Sequence, residues 1–197
     1  MRCIDVVVAS VSLVLIWPIA LLVSVQIAAT SRGPVIFRQQ RVGRGGELFE
    51  VLKFRTMVVG TDLEVRTDPV TRSLYEANDF KLPPDDPRIT KVGRFLRKTS
   101  LDEIPQLVNV IRGEMSLVGV RPIVREQLVL RSEFDQRLYR SHLPGLTGVW
   151  QIGGRSAVGD HDRLTLDRET LQTWSVRSNI AILFRTPLAV LRGAGAH

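Results

Sequence analysis

The longest feature in the hydrophobic pattern is Val6 to Ala29, VVVASVSLVLIWPIALLVSVQIAA, a run of 24 residues without a charged side chain. At 1.5 Å per residue such a helix measures about 36 Å, enough to cross a bilayer core. Pro18 lies near its middle, where it removes a backbone hydrogen bond and crowds the preceding turn, so the pattern predicts a membrane-inserted helix over 1–31, kinked at Pro18. Two topologies fit it, a spanning anchor and a re-entrant helix that turns back. A cleaved signal peptide fits poorly, because Asp5 stands where a basic flank belongs and the apolar run exceeds the usual roughly 7–15 residues.

Beyond the run the pattern changes period. Val35-Ile-Phe37 and Phe49-Glu-Val-Leu-Lys-Phe54 read as two strands around Gly43-Arg-Gly-Gly46, whose glycines can take the positive φ of a hairpin. The loop matches no phosphate-binding glycine motif. Gly60 to Pro87 is polar and punctuated by proline, which predicts a long irregular connection with one short helix at most. Gln106 to Arg112 carries a short helical pattern stopped by Gly113, and Pro105 favours a start near Ile104. Near the end, Ile180, Leu183, Phe184, Leu188 and Leu191 recur at helical spacing around Pro187. That stripe serves equally as core packing or as an interfacial helix lying in the headgroup plane.

Length and charge narrow the class. With 197 residues the chain is one domain plus an appended segment, here a body over 32–197. The 27 Lys+Arg against 20 Asp+Glu give a net charge of +7, all of it outside the apolar run, and basic surface faces polyanions. Arg32, Arg38, Arg41 and Arg44 follow the run and only Arg2 precedes it, which places the body in the cytoplasm. The single cysteine, Cys3, excludes an intrachain disulfide and a cysteine zinc site. His142, His161 and His197 show no metal-ligand spacing.

The densest polar constellation is Arg97-Lys-Thr-Ser-Leu-Asp102-Glu103-Ile-Pro105. Ser100-x-x-Glu103 also reads as a helix capping box, so capping and catalysis both remain open at this point. Next to a helix N-terminus a carboxylate is held ionised, and an ionised aspartate is a competent nucleophile. Two adjacent carboxylates together with a phosphate would suit Mg²⁺. Arg97, Arg121 before Pro122, and Arg155 carry guanidinium forks that suit phosphate oxygens, and Lys53 and Arg55 in Lys-Phe-Arg-Thr56 add to the supply of cations.

These motifs taken in order resemble the monotopic phosphoglycosyl transferases, the bacterial sugar transferase family that starts polysaccharide and glycoconjugate assembly. The resemblance runs through Arg2-x-Ile-Asp5, Gly33-Pro-Val-Ile-Phe-Arg-Gln39, Lys53-Phe-Arg-Thr-Met57, Asp86-Pro-Arg-Ile-Thr90, Asp102-Glu-Ile-Pro-Gln-Leu107, Gly113-Glu-Met-Ser-Leu-Val-Gly119, Arg121-Pro122, Pro144-Gly-Leu-Thr-Gly148 and Gly154-Arg155. It implies an α/β fold, mostly helical with a small β-hairpin, a re-entrant membrane helix and a catalytic body with interfacial amphipathic helices. It implies location at the bacterial cytoplasmic membrane with the active site on the cytoplasmic face, and is compatible with a homodimer.

The implied reaction moves a sugar 1-phosphate from a UDP-sugar to polyprenol phosphate through a covalent aspartyl-phosphosugar, releasing UMP. Asp102 would be the nucleophile and Glu103 would serve Mg²⁺ and the lipid phosphate, with both carboxylates as metal ligands. Lys53, Arg97, Arg121, Pro122 and Arg155 would hold phosphates, and Asp167 would support the site. The sequence departs from the family at Asn179, where an aspartate is usual, and at Val149-Trp-Gln-Ile152. A membrane-tethered basic module that binds lipid without chemistry, or an inactive scaffold for downstream glycosyltransferases, would be the alternative; nucleic acid is not expected as a partner.

Overall fold

The computed structural model describes residues 1–78, 80–149 and 160–191. Helix α1 spans Arg2–Thr30 and continues unbroken through Pro18. The missing proline N–H deletes one hydrogen bond, and the remaining backbone groups of an apolar segment still have to pair with one another. Strands β1 (Ile36–Val42) and β2 (Leu48–Phe54) form the antiparallel hairpin that the pattern predicts, in a register that pairs Phe37 with Lys53, Gln39 with Val51 and Arg41 with Phe49. Gly45 (φ 74°) and Gly46 (φ 87°) turn the chain between them.

The stretch expected to be irregular holds two helices instead, α2 (Thr61–Thr67) and α3 (Pro69–Ala77). Asp68-Pro69, within that proline-punctuated stretch, is a helix start: the Asp68 carboxylate accepts from the Thr71 N–H at 2.8 Å and Pro69 takes the first helical position. Arg88 then ties the excursion down, with bonds to both Asp86 oxygens, to Glu64 and to Thr71.

Helix α4 (Lys91–Thr99) is capped by Thr90, and Gly93 lies so close to the Thr56 carbonyl that no side chain would fit there. Ser100, at φ 58°, ends α4 and opens a single 3₁₀ turn over Leu101–Glu103. Helix α5 (Gln106–Arg112) follows, two residues later than the predicted start, since Ile104 and Pro105 are helical in angle yet belong to the joint between turn and helix. Strand β3 (Ser116–Val118) pairs in parallel with β4 (Gly145–Thr147), a second small sheet that three-residue strands gave no periodicity to reveal. The remaining helices are α6 (Arg125–Val129), α7 (Glu133–Arg140), α8 (Asp160–Gln172) and α9 (Val176–Leu191), the last continuing across Pro187.

Helix α1 is packed onto the body near both of its ends. Ala9 enters a core with Val51, Leu107, Val110, Leu117 and Ile182, while Val23 and Ile27 enter another with Phe54 and Leu96. Polar ties reinforce both contacts. Near the start, Ser116 Oγ and the Leu117 N–H donate to the buried Asp5 carboxylate at 3.0 and 3.1 Å, and Arg2 donates to the Val110 and Ile111 carbonyls at the end of α5. Just past the other end, Arg55 donates to the Ser31 and Arg32 carbonyls at 2.7 and 2.9 Å. Between these ties Val14, Leu15, Trp17 and Leu22 are exposed.

Candidate active site

Strand β2, the 3₁₀ turn and the segment after β3 converge on one cavity, lined by Arg41, Val51, Lys53, Glu103, Gln106, Arg121 and Pro122. Period-2 alternation explains the strand contribution, since Lys53, Val51, Gln39 and Arg41 all stand on one face of the hairpin. The 3₁₀ turn explains the carboxylates. Its tight geometry presents Asp102 and Glu103 in succession, immediately before α5.

The Glu103 carboxylate is held from two sides. Lys53 Nζ donates to its Oε1 at 3.0 Å and Arg121 Nη1 donates to the same oxygen at 3.2 Å. Asp102 is buried beside this trio, and burial pushes its carboxyl from 3.8 up to about 6; Glu103 pushes the same way, while Lys53, Arg97 and Arg121 act against it. Burial therefore opposes the ionisation expected at the helix start and outweighs the neighbouring cations. Burial likewise lowers the Lys53 ammonium, with Glu103 opposing it. Arg97, in the last turn of α4, is lowered by burial as well and donates from Nε to Thr56 Oγ1 at 3.1 Å. The Ser100 side chain makes no capping bond to the turn, so the capping reading of this segment gives way to the ion pairs of Glu103.

Five sequence-singled residues, Lys53, Arg97, Asp102, Glu103 and Arg121, are thus brought together, with Pro122 beside them. Arg155 lies outside the described residues. Asp167 is buried on α8 and pairs with Arg131 at 3.3 Å; Arg131 in turn stacks over the Tyr139 ring. Its link to the cavity is indirect. The Tyr139 hydroxyl accepts from the Ile123 N–H at 3.2 Å and donates to the Val42 carbonyl at 2.7 Å, which fastens the Arg121-Pro122 segment to the end of β1.

Two residues escaped the sequence reading, Arg41 in the cavity lining and Asn109 behind the strand that carries Lys53. Asn109, fully buried in α5, accepts from the Leu52 N–H at 3.0 Å and donates to the Glu50 carbonyl at 2.7 Å, so it fixes the strand bearing Lys53 to the helix behind the turn. A lone amide inside Leu107-Val-Asn-Val-Ile111 was the available signal. Arg41 was read only as a flanking charge. Its signal was its place four positions along the face shared with the Lys53 row.

Comparison with known proteins places the chain in a family. A family model described as bacterial sugar transferase matches residues 1–193. An exopolysaccharide production protein, ExoY, of Rhizobium meliloti (strain 1021) is 42% identical over 200 residues, covering 100% of this chain and 87% of that protein. An uncharacterized sugar transferase of Haemophilus influenzae is 44% identical over 200 residues, covering 100% of this chain and 42% of the relative. An undecaprenyl-phosphate galactose phosphotransferase of Salmonella typhimurium is 48% identical over 169 residues, covering 84% of this chain and 35% of the relative. The chain spans about two fifths of the length of these last two relatives.

Proposed function

Because the chain belongs to the bacterial sugar transferase family, we propose that it transfers a sugar 1-phosphate from a UDP-sugar to undecaprenyl phosphate, with Asp102 as the covalent nucleophile. The observation that carries this reading is the buried Asp102 carboxyl, under the charges of Lys53, Glu103 and Arg121, three residues that line one cavity. In the first step an Asp102 oxygen attacks the sugar-bearing phosphorus, the bond from that phosphorus to the bridging oxygen breaks, and its electron pair leaves on UMP. In the second, an oxygen of the lipid phosphate attacks the same phosphorus and the aspartyl–phosphorus bond breaks, restoring the carboxylate. Lys53, Arg97 and Arg121 supply positive charge around oxygens whose charge rises during each step.

Mg²⁺ suits the donor set. The ion takes oxygen ligands and is often held by one or two carboxylates plus substrate phosphates, and Asp102 and Glu103 offer two adjacent carboxylates. Among the described residues no cluster of three or more acidic, histidine or cysteine side chains is present, so phosphates and water would complete the shell. When bound, the ion would neutralise phosphate charge as a Lewis acid.

The membrane reading is that α1 re-enters on the side where the body lies, with the cavity on the cytoplasmic face. Support comes from the polar ties at both ends of α1 to one body, while its middle exposes only apolar side chains. Helix α9 supports an interfacial seat: Phe184, Leu188 and Ile180 are exposed while Ile182 is in the core.

The test is UMP release from a panel of UDP-sugars with Mg²⁺ and undecaprenyl phosphate in detergent. Turnover with one donor that disappears in Asp102→Asn is the expected result. Turnover unchanged in a folded Asp102→Asn protein would exclude Asp102 as nucleophile, and binding of lipid phosphate without turnover of any UDP-sugar would favour a non-enzymatic module.

A further inference from the structure

Three cations line the cavity, and Arg41 is the one not yet given a task. Antiparallel pairing sets its row two steps along the same face from that of Lys53, so their backbone positions lie roughly 13 Å apart along the hairpin. Both side chains nevertheless reach one cavity. The Arg41 guanidinium is buried and aimed by two acceptors: Nη2 donates to Gln39 Oε1 at 2.7 Å and Nη1 to the Pro122 carbonyl at 3.4 Å. Gln39 is steadied in turn, donating to the Tyr75 hydroxyl on α3 at 3.3 Å.

The cavity therefore has two ends. Lys53 and Arg121 both bond Glu103, the chain neighbour of Asp102, whereas Arg41 bonds Gln39 and the Pro122 carbonyl. On the hairpin the Gln39–Val51 row separates the Arg41 row from that of Lys53, the strand residue that holds Glu103. A diphosphate attacked at one phosphorus by Asp102 must extend its second phosphate away from that carboxylate, and the second phosphate carries the growing charge as the bridging bond breaks.

Resting on the donor reading above, we propose that Arg41 holds the phosphate of the departing nucleoside monophosphate, at the end of the cavity remote from Asp102. A permanently charged fork suits that phosphate monoester better than an ammonium would, because it offers two parallel donors to two oxygens. The Gln39–Tyr75 line makes the orientation of this fork depend on α3.

The same chemistry, a phosphate monoester, also belongs to the acceptor lipid, so the test separates the two. UMP and uridine affinities are measured by calorimetry on the full chain for wild type, Arg41→Lys and Arg41→Gln, together with the KM for undecaprenyl phosphate. Folding of each variant is checked by its melting temperature. The expected result is UMP binding weakened about tenfold or more in Arg41→Gln and less in Arg41→Lys, with uridine affinity and the lipid KM changed by less than about twofold. If Arg41→Gln does not fold, Arg41→Lys alone carries the comparison, through the loss for UMP relative to uridine. Equal weakening of UMP and uridine would mean a merely structural role and overturn the assignment. So would a raised lipid KM with UMP binding intact. Wild type that binds neither UMP nor any UDP-sugar would overturn the donor reading itself and this assignment with it, whereas wild-type UMP binding that survives both substitutions removes Arg41 alone.

Discussion

Asp102 is held where its own ionisation is costly. Its carboxyl pKa is raised to about 6 by burial, so the ionised form opposes folding: the contribution to stability is full below about pH 4 and is lost as pH rises through about 6. The nucleophile, however, must be ionised. We therefore expect kcat/KM to climb about tenfold per pH unit below 6 and to level above it, then to fall at higher pH as the depressed Lys53 ammonium loses its proton. Initial rates across a pH series check this, and a rate that is flat from pH 5 to 7 would contradict it. Asp102→Asn removes the buried charge. It should abolish turnover while raising stability at pH 8 by on the order of 2 kcal/mol, readable as a melting temperature several degrees higher.

At the scale of elements, the joint between β2, the 3₁₀ turn and α5 decides the geometry, and Asn109 is its fastener. Replacing it by leucine keeps the volume but leaves the Leu52 N–H and Glu50 carbonyl without their side-chain partner; the expected cost is about 2–4 kcal/mol, measurable by thermal unfolding, with kcat falling further than folded fraction does. The hairpin and the Asp102 segment were legible in the sequence because local rules govern them: glycine φ, strand alternation and proline at helix starts. Where the sequence allowed one short helix there are two, α2 and α3, because Asp68-Pro69 signals a break and a beginning alike. Helix α8, with its leucines at 164, 166 and 171 among charged residues, shows no single apolar face to read. The grouping of Arg41 with Lys53 depends on strand register, and that of Asp167 with Arg131 and Tyr139 on long-range packing, so neither is encoded in any short window.

For the whole molecule, the observed attachment of α1 to the body and the proposed seat of the body on the lipid surface are tested separately. Phe184 projects from α9 into solvent, and Phe184→Asp should leave the soluble fold intact while weakening vesicle flotation and slowing transfer to the lipid acceptor. Unchanged flotation would show that α1 alone seats the protein. At the other contact, Asp5→Ala unties α1 from β3 and leaves the Leu117 N–H without its acceptor. The expectation is a loss of about 1–3 kcal/mol, seen as earlier proteolysis at the α1 junction.

Asp5 and its partners are separated by more than a hundred residues of chain. A ribosome adding roughly 5–20 residues per second makes β3 some 5–20 seconds after α1. On the membrane reading proposed above, the apolar helix enters lipid before the two partners of its carboxylate have been made, so the anchor settles in two stages, first by partition and later by latching. On that reading the order of synthesis makes the membrane the template on which the remaining chain assembles.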